Sequence, residues 1–125
     1  MRLSGFLLDV HVPLSVADGV RAARAGCRVE HVAHWRGGKF REDIDGPILE
    51  AAVAERLAVV TYDVNTIPAI LHRWLADGRS IPPVVLISAR SGSPARGAVI
   101  RALVELYDDP SPFESDYPIV HRSLR

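Results

Sequence analysis

The sequence predicts an α/β protein, a three-layer α/β/α sandwich whose central, mainly parallel sheet has four to five strands. Short apolar runs alternate four times with segments of helical periodicity, and this alternation is typical of repeated strand–helix–strand units. The apolar runs are nearly continuous, as expected of strands that are buried on both faces. The chain has 125 residues and shows no internal repeat, so we expect one domain over 1–125.

The first half of the chain carries three predicted strands and two predicted helices. The apolar run "GFLLD" predicts a strand over 5–9, and "CRVEHV" predicts another over 27–32. A third strand is expected from "LAVVTYD", over 57–63. Helices are expected over 13–25 and 47–56, because each of these segments opens on a proline, a residue that suits the first helical turn.

The second half continues the alternation. An apolar stripe at helical spacing follows the third strand and consists of Ile67, Ile70, Leu71, Trp74 and Leu75. "PPVVLIS" predicts a fourth strand over 82–88, and Ser93 with Pro94 predicts the start of a fourth helix. That helix would bury a second stripe, formed by Val99, Ile100, Leu103, Val104 and Tyr107. The segment 108–125 is expected to be irregular, although "YPIVHRS" within it suits an edge strand or a dimer contact.

The composition argues against several classes of protein. The formal net charge is zero, so no overall basic field would draw the protein to nucleic acid or to a membrane surface. No apolar run approaches the ~18 residues that cross a bilayer, and no signal peptide is visible. We therefore expect a cytoplasmic protein without membrane contact. Cys27, the one cysteine, is expected to be a small core residue.

Two aspartates stand where predicted strands end. Asp9 closes the first strand and Asp63 closes the third. Ligands of open parallel sheets bind outside the carboxyl ends of the strands, so both residues are candidates for a functional site. If the two strands are neighbours, the carboxylates would repel one another unless a cation lies between them. The sequence does not state the strand order.

Three further polar residues are expected at the same edge. Asp45 precedes the second helix, and Asn65 and Thr66 open the third. Asp45 and the two strand-end aspartates would offer the hard oxygen ligands that suit Mg²⁺ or Mn²⁺. Helix capping is the alternative role, and it is strongest for Asp45. A carboxylate can also do both, since capping leaves one oxygen free.

Other side chains are candidates for supporting roles. His11 is a candidate ligand or proton shuttle, although a partly exposed cap is the commoner role for such a residue. Trp35 lies in a glycine-rich loop and could stack on a base, but packing over the sheet edge is favoured. Arg90 and Arg96 flank the turn after the fourth strand, where they could bind the phosphates of RNA. No set of cysteines and histidines has the spacing of a zinc site.

Three short motifs place acids along the chain in a recognisable order: "DVHVP" from Asp9, "DGPIL" from Asp45 and "TYDVNT" from Thr61. They resemble the motifs of the small PIN-like proteins of bacteria and archaea, relatives of the PIN-domain ribonuclease toxins. Those proteins tend to carry Asp-Glu-Asn-Leu-Pro, then an Asp two residues before an Ile-Leu pair, then Thr-x-Asp-x-Asp-Phe. The resemblance extends over about residues 5–90.

The resemblance implies an acidic pocket that holds Mg²⁺ or Mn²⁺ and cleaves RNA. Asp9, Asp45 and Asp63 would be the catalytic metal ligands, and Thr61 would hold the Asp63 carboxylate or the attacking water through its hydroxyl. A toxin of this family generally pairs with an antitoxin protein and often forms a homodimer. Asn65 stands where the family usually has a second Asp, and the loss of one negative charge favours one metal ion over two.

Two alternative functions fit the same residues. One is a PIN-like module that has lost catalysis and binds RNA or a partner protein through the pocket, as the amide at position 65 suggests. The other is a phospho-acceptor domain of the response-regulator type, with Asp63 as the acceptor and Ser88 as the switch hydroxyl. That chemistry normally needs a lysine after a fifth parallel strand. Lys39 is the only lysine, and no fifth parallel strand is predicted.

Overall fold

The computed structural model describes residues 3–35, 46–90 and 92–124. Within these ranges strands and helices alternate along the chain. The strands are β1 (Gly5–Leu8), β2 (Arg28–His31), β3 (Leu57–Thr61), β4 (Val84–Ala89) and β5 (Ile119–Leu124). The helices are α1 (Leu14–Ala23), α2 (Gly46–Glu55), α3 (Thr66–Ala76) and α4 (Arg96–Asp108), with a short 3-10 helix at Ser111–Phe113.

The strands form one sheet in the order β2-β1-β3-β4-β5, and every neighbouring pair is parallel. The predicted α/β class with a parallel sheet is therefore confirmed. The sheet has five strands, and four to five were expected. Leu8, the last residue of β1, pairs with His31 of β2 on one side and with Val60 of β3 on the other. The strands β1 and β3 are separated along the chain but end side by side.

Two apolar cores lie on the two faces of the sheet. Successive strand residues point to opposite faces, so Phe6 and Leu8 belong to the core beneath α1 and α4, whereas Leu7 belongs to the core beneath α2 and α3. All five residues of β3 are buried, which explains why its sequence shows no polar alternation. Helices on both faces of the sheet give the three layers that the sequence predicts.

The last crossover has the opposite hand to the other three. The connections through α2 and α3 run across the sheet in the direction of β5, and both helices lie on the same face. The connection through α1 runs in the opposite direction, toward β2, and its helix lies on the other face. These three share one hand. The connection through α4 also moves toward β5 but places its helix on the α1 face. Nearly all such crossovers are right-handed, and this exception lets two helices cover each face.

The end of the chain contains the edge strand that "YPIVHRS" suggests. This strand, β5, pairs with β4 along its whole length, and a short 3-10 helix precedes it in the segment otherwise expected to be irregular. Ile119 and Val120 contribute to one core each, and this burial holds the strand against the sheet. The fourth helix begins at Arg96 rather than at Pro94, and its N-cap residue makes no side-chain hydrogen bond.

The predicted apolar stripes are confirmed in part. On α3 the buried residues are Ile67, Leu71 and Trp74. On α4 they are Val99, Ala102, Leu103 and Leu106, whereas the predicted Ile100, Val104 and Tyr107 lie at the margin and are half-buried. Cys27 and Trp35 are both buried, as expected. No helix within the three described ranges is long and apolar enough to cross a membrane.

Gly5 makes the pairing of β1 with β2 testable. A Cβ at this position would lie 1.6 Å from the carbonyl oxygen of Arg28, so the two strands would have to separate. We expect Gly5→Ala to lower the free energy of unfolding by more than about 2 kcal/mol. Gly97→Ala is the control, since its Cβ would meet only the flexible end of Arg101 at 3.4 Å. Urea denaturation of both variants checks this, and equal stabilities would contradict the pairing.

Candidate active site

The carboxyl ends of β1 and β3 meet at one edge of the sheet. The ladder continues one residue beyond β1, where the backbone N–H of Asp9 donates to the carbonyl oxygen of Val60 at 2.9 Å. The strand order changes direction at this point, because the chain runs from β1 to β2 on one side and returns to β3 on the other. Ligands of open α/β sheets bind in the crevice at such a point. The structure therefore brings Asp9 and Asp63 to one place.

Asp9 carries a buried carboxylate with two hydrogen bonds. The residue is only 6% exposed. Its Oδ1 accepts the backbone N–H of Val10 at 2.6 Å, and its Oδ2 accepts the hydroxyl of Thr61 at 2.8 Å. A buried charge without partners is costly, and these bonds supply one partner to each oxygen. Each oxygen still keeps lone-pair capacity for a further ligand.

The hydroxyl of Thr61 connects the two strand ends. Thr61 is fully buried at the last position of β3. Its Oγ1 donates to the Asp9 carboxylate and accepts the backbone N–H of Asp63 at 3.0 Å. The sequence analysis expects Thr61 to hold the Asp63 carboxylate, but its hydroxyl donates to the carboxylate of Asp9 instead. The same hydroxyl fixes Asp63 through the main chain rather than through its side chain.

The Asp63 carboxylate caps α3. Its Oδ1 accepts the backbone N–H groups of Thr66 at 2.8 Å and Asn65 at 3.0 Å. The Thr66 N–H, more than any other group, lowers the pKa of Asp63 below its ordinary value, because it favours the ionised form. The expected caps were Asn65 and Thr66, but the Asn65 side chain makes no cap hydrogen bond. The side chain of Thr66 also hydrogen-bonds to the Asp63 carboxylate and helps to lower its pKa.

Two other predicted residues lie beside this pair. The imidazole of His11 contributes to the lowered pKa of Asp63, which places it near that carboxylate. His11 is exposed, and so is Asn65 at the N-terminus of α3. His11 can therefore exchange protons with solvent, whereas the amide of Asn65 offers one neutral oxygen.

Three further predicted residues remain to be placed. Asp45 lies outside the described residues. Arg90 and Arg96 are exposed on the segment between β4 and the start of α4. Within 3–35, 46–90 and 92–124, no group of three or more His, Cys, Asp or Glu side chains could hold a metal ion. A metal ion at this edge would need Asp45, the Asn65 amide or a substrate oxygen as a further ligand.

His31 is a positioning residue that the sequence analysis did not identify. It ends β2, is 6% exposed, and its Nε2 lies 2.8 Å from the carbonyl oxygen of Val12. Because Nδ1 accepts the backbone N–H of Ala33 at 3.1 Å, Nε2 carries the proton and donates to Val12. The imidazole thus holds the loop that leads from Asp9 into α1. The sequence signal for this role is strand alternation: residues 29 and 31 share one face of β2, and Val29 is a core residue, so His31 is expected to be buried as well.

Chemically, the junction offers two carboxylates on neighbouring strand ends, one buried and fixed and the other ionised and half-exposed. Hard oxygen donors of this kind suit Mg²⁺ or Mn²⁺. Comparisons of the chain with protein-family models, with curated proteins and with solved structures found no match. The resemblance to PIN-like proteins therefore rests on the three short motifs alone.

Replacing Thr61 tests the connection between the strands. Thr61→Val keeps the shape of the side chain but removes the hydroxyl, so a buried oxygen of Asp9 loses its partner. We expect a loss of about 1–3 kcal/mol in the free energy of unfolding. Thr61→Ser retains the hydroxyl and should lose about 1 kcal/mol or less. Denaturant titration gives both values, and a Val variant as stable as the native protein would show that the bond contributes nothing.

The lowered pKa of Asp63 predicts a loss of stability in acid. A carboxyl group with a lower pKa in the folded state than in the unfolded state stabilises the fold above its unfolded pKa, and this contribution is lost as the pH falls through the folded value. We expect the native protein to lose more stability than Asp63→Asn as the pH is lowered from about 5 to 2. Urea unfolding over this pH range provides the measurement. Parallel curves for the two proteins would be inconsistent with the capping role.

Proposed function

We propose that the protein is a divalent-metal-dependent ribonuclease of the PIN-like type. One observation carries the proposal: Asp9 and Asp63 leave adjacent parallel strands at the point where the strand order changes direction, and one hydroxyl links them. Carboxylates at the ends of two adjacent strands are hard oxygen donors that can be offered to one divalent cation. The open α/β sheet serves as the scaffold for the site.

The donor set fits Mg²⁺ or Mn²⁺. Asp9 and Asp63 would hold the ion, Asp45 would be the third carboxylate, and Asn65 would add a neutral oxygen. An amide in place of a fourth carboxylate lowers the negative charge of the site and favours one ion. When bound, such an ion lowers the pKa of a water molecule and offsets the charge that develops on the phosphate.

The side chains of the chain itself have distinct tasks in this proposal. Asp9 is immobilised by its two hydrogen bonds, so its position does not change when a ligand arrives. Asp63 remains ionised at neutral pH because backbone N–H groups stabilise its charge. His11, exposed beside it, is the group that can deliver a proton to a leaving oxygen. Arg90 and Arg96, both exposed, are the proposed contacts to RNA phosphates.

The proposal extends to partners and location. A cytoplasmic toxin of this type would be neutralised by an antitoxin protein, and it would form a homodimer. The face of α4 and the edge strand β5 are the surfaces we assign to self-association, because no strand of the described residues pairs with the outer side of β5.

A catalytically degenerate module is the second candidate. It is favoured by the exposed amide of Asn65 at a position where the family usually has an acid. Such a protein would bind RNA or a partner protein without turnover. The phospho-acceptor function is not favoured. The structure has the fifth parallel strand that such a domain needs, but Lys39 is the only lysine in the sequence. The proposed switch hydroxyl of Ser88 is hydrogen-bonded to His121 at 2.9 Å.

Cleavage of RNA decides between these functions. With Mn²⁺, the native protein should cleave a mixed single-stranded RNA, and Asp9→Asn and Asp63→Asn should each reduce the rate by more than about 100-fold. Asp18→Asn is the matched control, because this acid lies exposed on α1 and its side chain is 80% accessible. Circular dichroism would establish that all variants are folded.

Each possible result favours or excludes one of the three functions. Turnover that both site variants abolish would exclude the degenerate module. RNA binding without turnover, weakened by the site variants, would favour the module. Labelling of Asp63 by a small phosphodonor would favour the phospho-acceptor, and undiminished turnover in both site variants would contradict the proposed ribonuclease site.

A further inference from the structure

A polar cavity lies at the edge of the sheet opposite to the one that carries Asp9 and Asp63. It has a volume of about 390 Å³ and is lined by Leu3, Ser4, Gly26, Arg56 and Tyr107. Four of these residues precede β1, β2 or β3, and Tyr107 belongs to the last turn of α4. The cavity therefore opens at the amino ends of the strands, away from the carboxyl edge with its aspartates. Its size is within the range of small-molecule sites.

Arg56 has an unusual backbone conformation at this cavity. It follows the last residue of α2 and has a φ of 57°. Helices commonly end in this left-handed conformation, but glycine usually occupies the position because a Cβ is strained there. The conformation is held by the fold, since the carbonyl oxygen of Arg56 accepts the backbone N–H of Ser4 at 3.0 Å. Strained residues that persist in this way cluster at ligand sites.

Among the residues that the structure describes, Arg56 has no counter-ion. Two neighbouring arginines are already paired, Arg24 with Asp108 at 2.6 Å and Arg28 with Glu55 at 2.7 Å. Within the described ranges, no carboxylate forms an ion pair with the Arg56 guanidinium. The hydroxyls of Ser4 and Tyr107 likewise have no hydrogen-bond partner among those residues. Three donors, one of them a cation, are therefore available to the same cavity.

We propose that this cavity binds a phosphate group. A guanidinium presents a planar fork of N–H donors that matches two phosphate oxygens. The hydroxyls of Ser4 and Tyr107 can donate to the remaining oxygens. No carboxylate lines the cavity, and Asp108 and Glu55, which adjoin the lining residues Tyr107 and Arg56 in the chain, are each paired with an arginine. The cavity is larger than a phosphate ion alone requires, which leaves room for the rest of a phosphorylated small molecule.

The strain at Arg56 makes the proposal testable in two independent ways. Arg56→Gly removes the guanidinium and also relieves the left-handed backbone. We expect phosphate affinity to fall by at least about 10-fold, since a charge-assisted hydrogen bond is lost. In the absence of phosphate the same variant should have a melting temperature about 2–4 °C higher. A purely structural role of the side chain would instead lower the melting temperature.

The experiment is a calorimetric titration of inorganic phosphate and, separately, of glycerol phosphate into the full chain, with a chelator to exclude metal ions. Tyr107→Phe should weaken binding while preserving the fold. Arg73→Gln is the charge-matched control, because Arg73 is exposed on α3, on the other face of the sheet. This variant should bind as tightly as the native protein.

The two ligands distinguish the sources of the phosphate. Tighter binding of glycerol phosphate would identify a phosphorylated small molecule, and tighter binding of inorganic phosphate would identify the free ion. Two results would overturn the proposal: no binding of either ligand by the native protein at millimolar concentration, or equal affinity in Arg56→Gly.

Discussion

The hydroxyl of Thr61 holds the carboxyl edge of the sheet together. It is a single buried group that donates to the Asp9 carboxylate on β1 and accepts the main-chain N–H of Asp63 beyond β3. This arrangement is available only because β1 and β3 are adjacent and in register. Any other strand order would leave Asp9 buried without this partner, at a considerable cost in stability.

Asp63 caps α3, and the cation-binding role proposed for it is compatible with this structural role. One carboxylate oxygen accepts the backbone N–H groups of Asn65 and Thr66. These N–H groups stabilise the negative charge, which is the form that a divalent cation would bind. Capping therefore keeps the carboxylate in the state that the proposed function requires. Asp9 differs, since both of its oxygens already accept hydrogen bonds and its position is set by the strands.

Much of this fold could be predicted because buried parallel strands and amphipathic helices leave periodic signals. The continuous apolar run of β3 and the stripe of α3 are examples. The strand order and the hand of the α4 crossover could not be predicted, because they depend on how whole elements pack. Three apolar residues of β5, Ile119, Val120 and Leu124, pack against the two cores, and this short pattern supports an edge strand or a dimer contact equally well. Of the candidate site, the two strand-end aspartates were predicted, whereas the bridging geometry of Thr61 and the role of His31 depend on tertiary contacts.

In the proposed function, the aspartates at the junction of β1 and β3 bind a divalent cation. This binding can be measured by calorimetric titration of Mn²⁺ into the native protein and into Asp63→Asn, with Asp18→Asn as the control. We predict saturable binding by the native protein and the control, and loss of that binding in Asp63→Asn. Equal binding by all three proteins, or no binding by the native protein, would contradict the claim and leave the aspartates with structural roles alone.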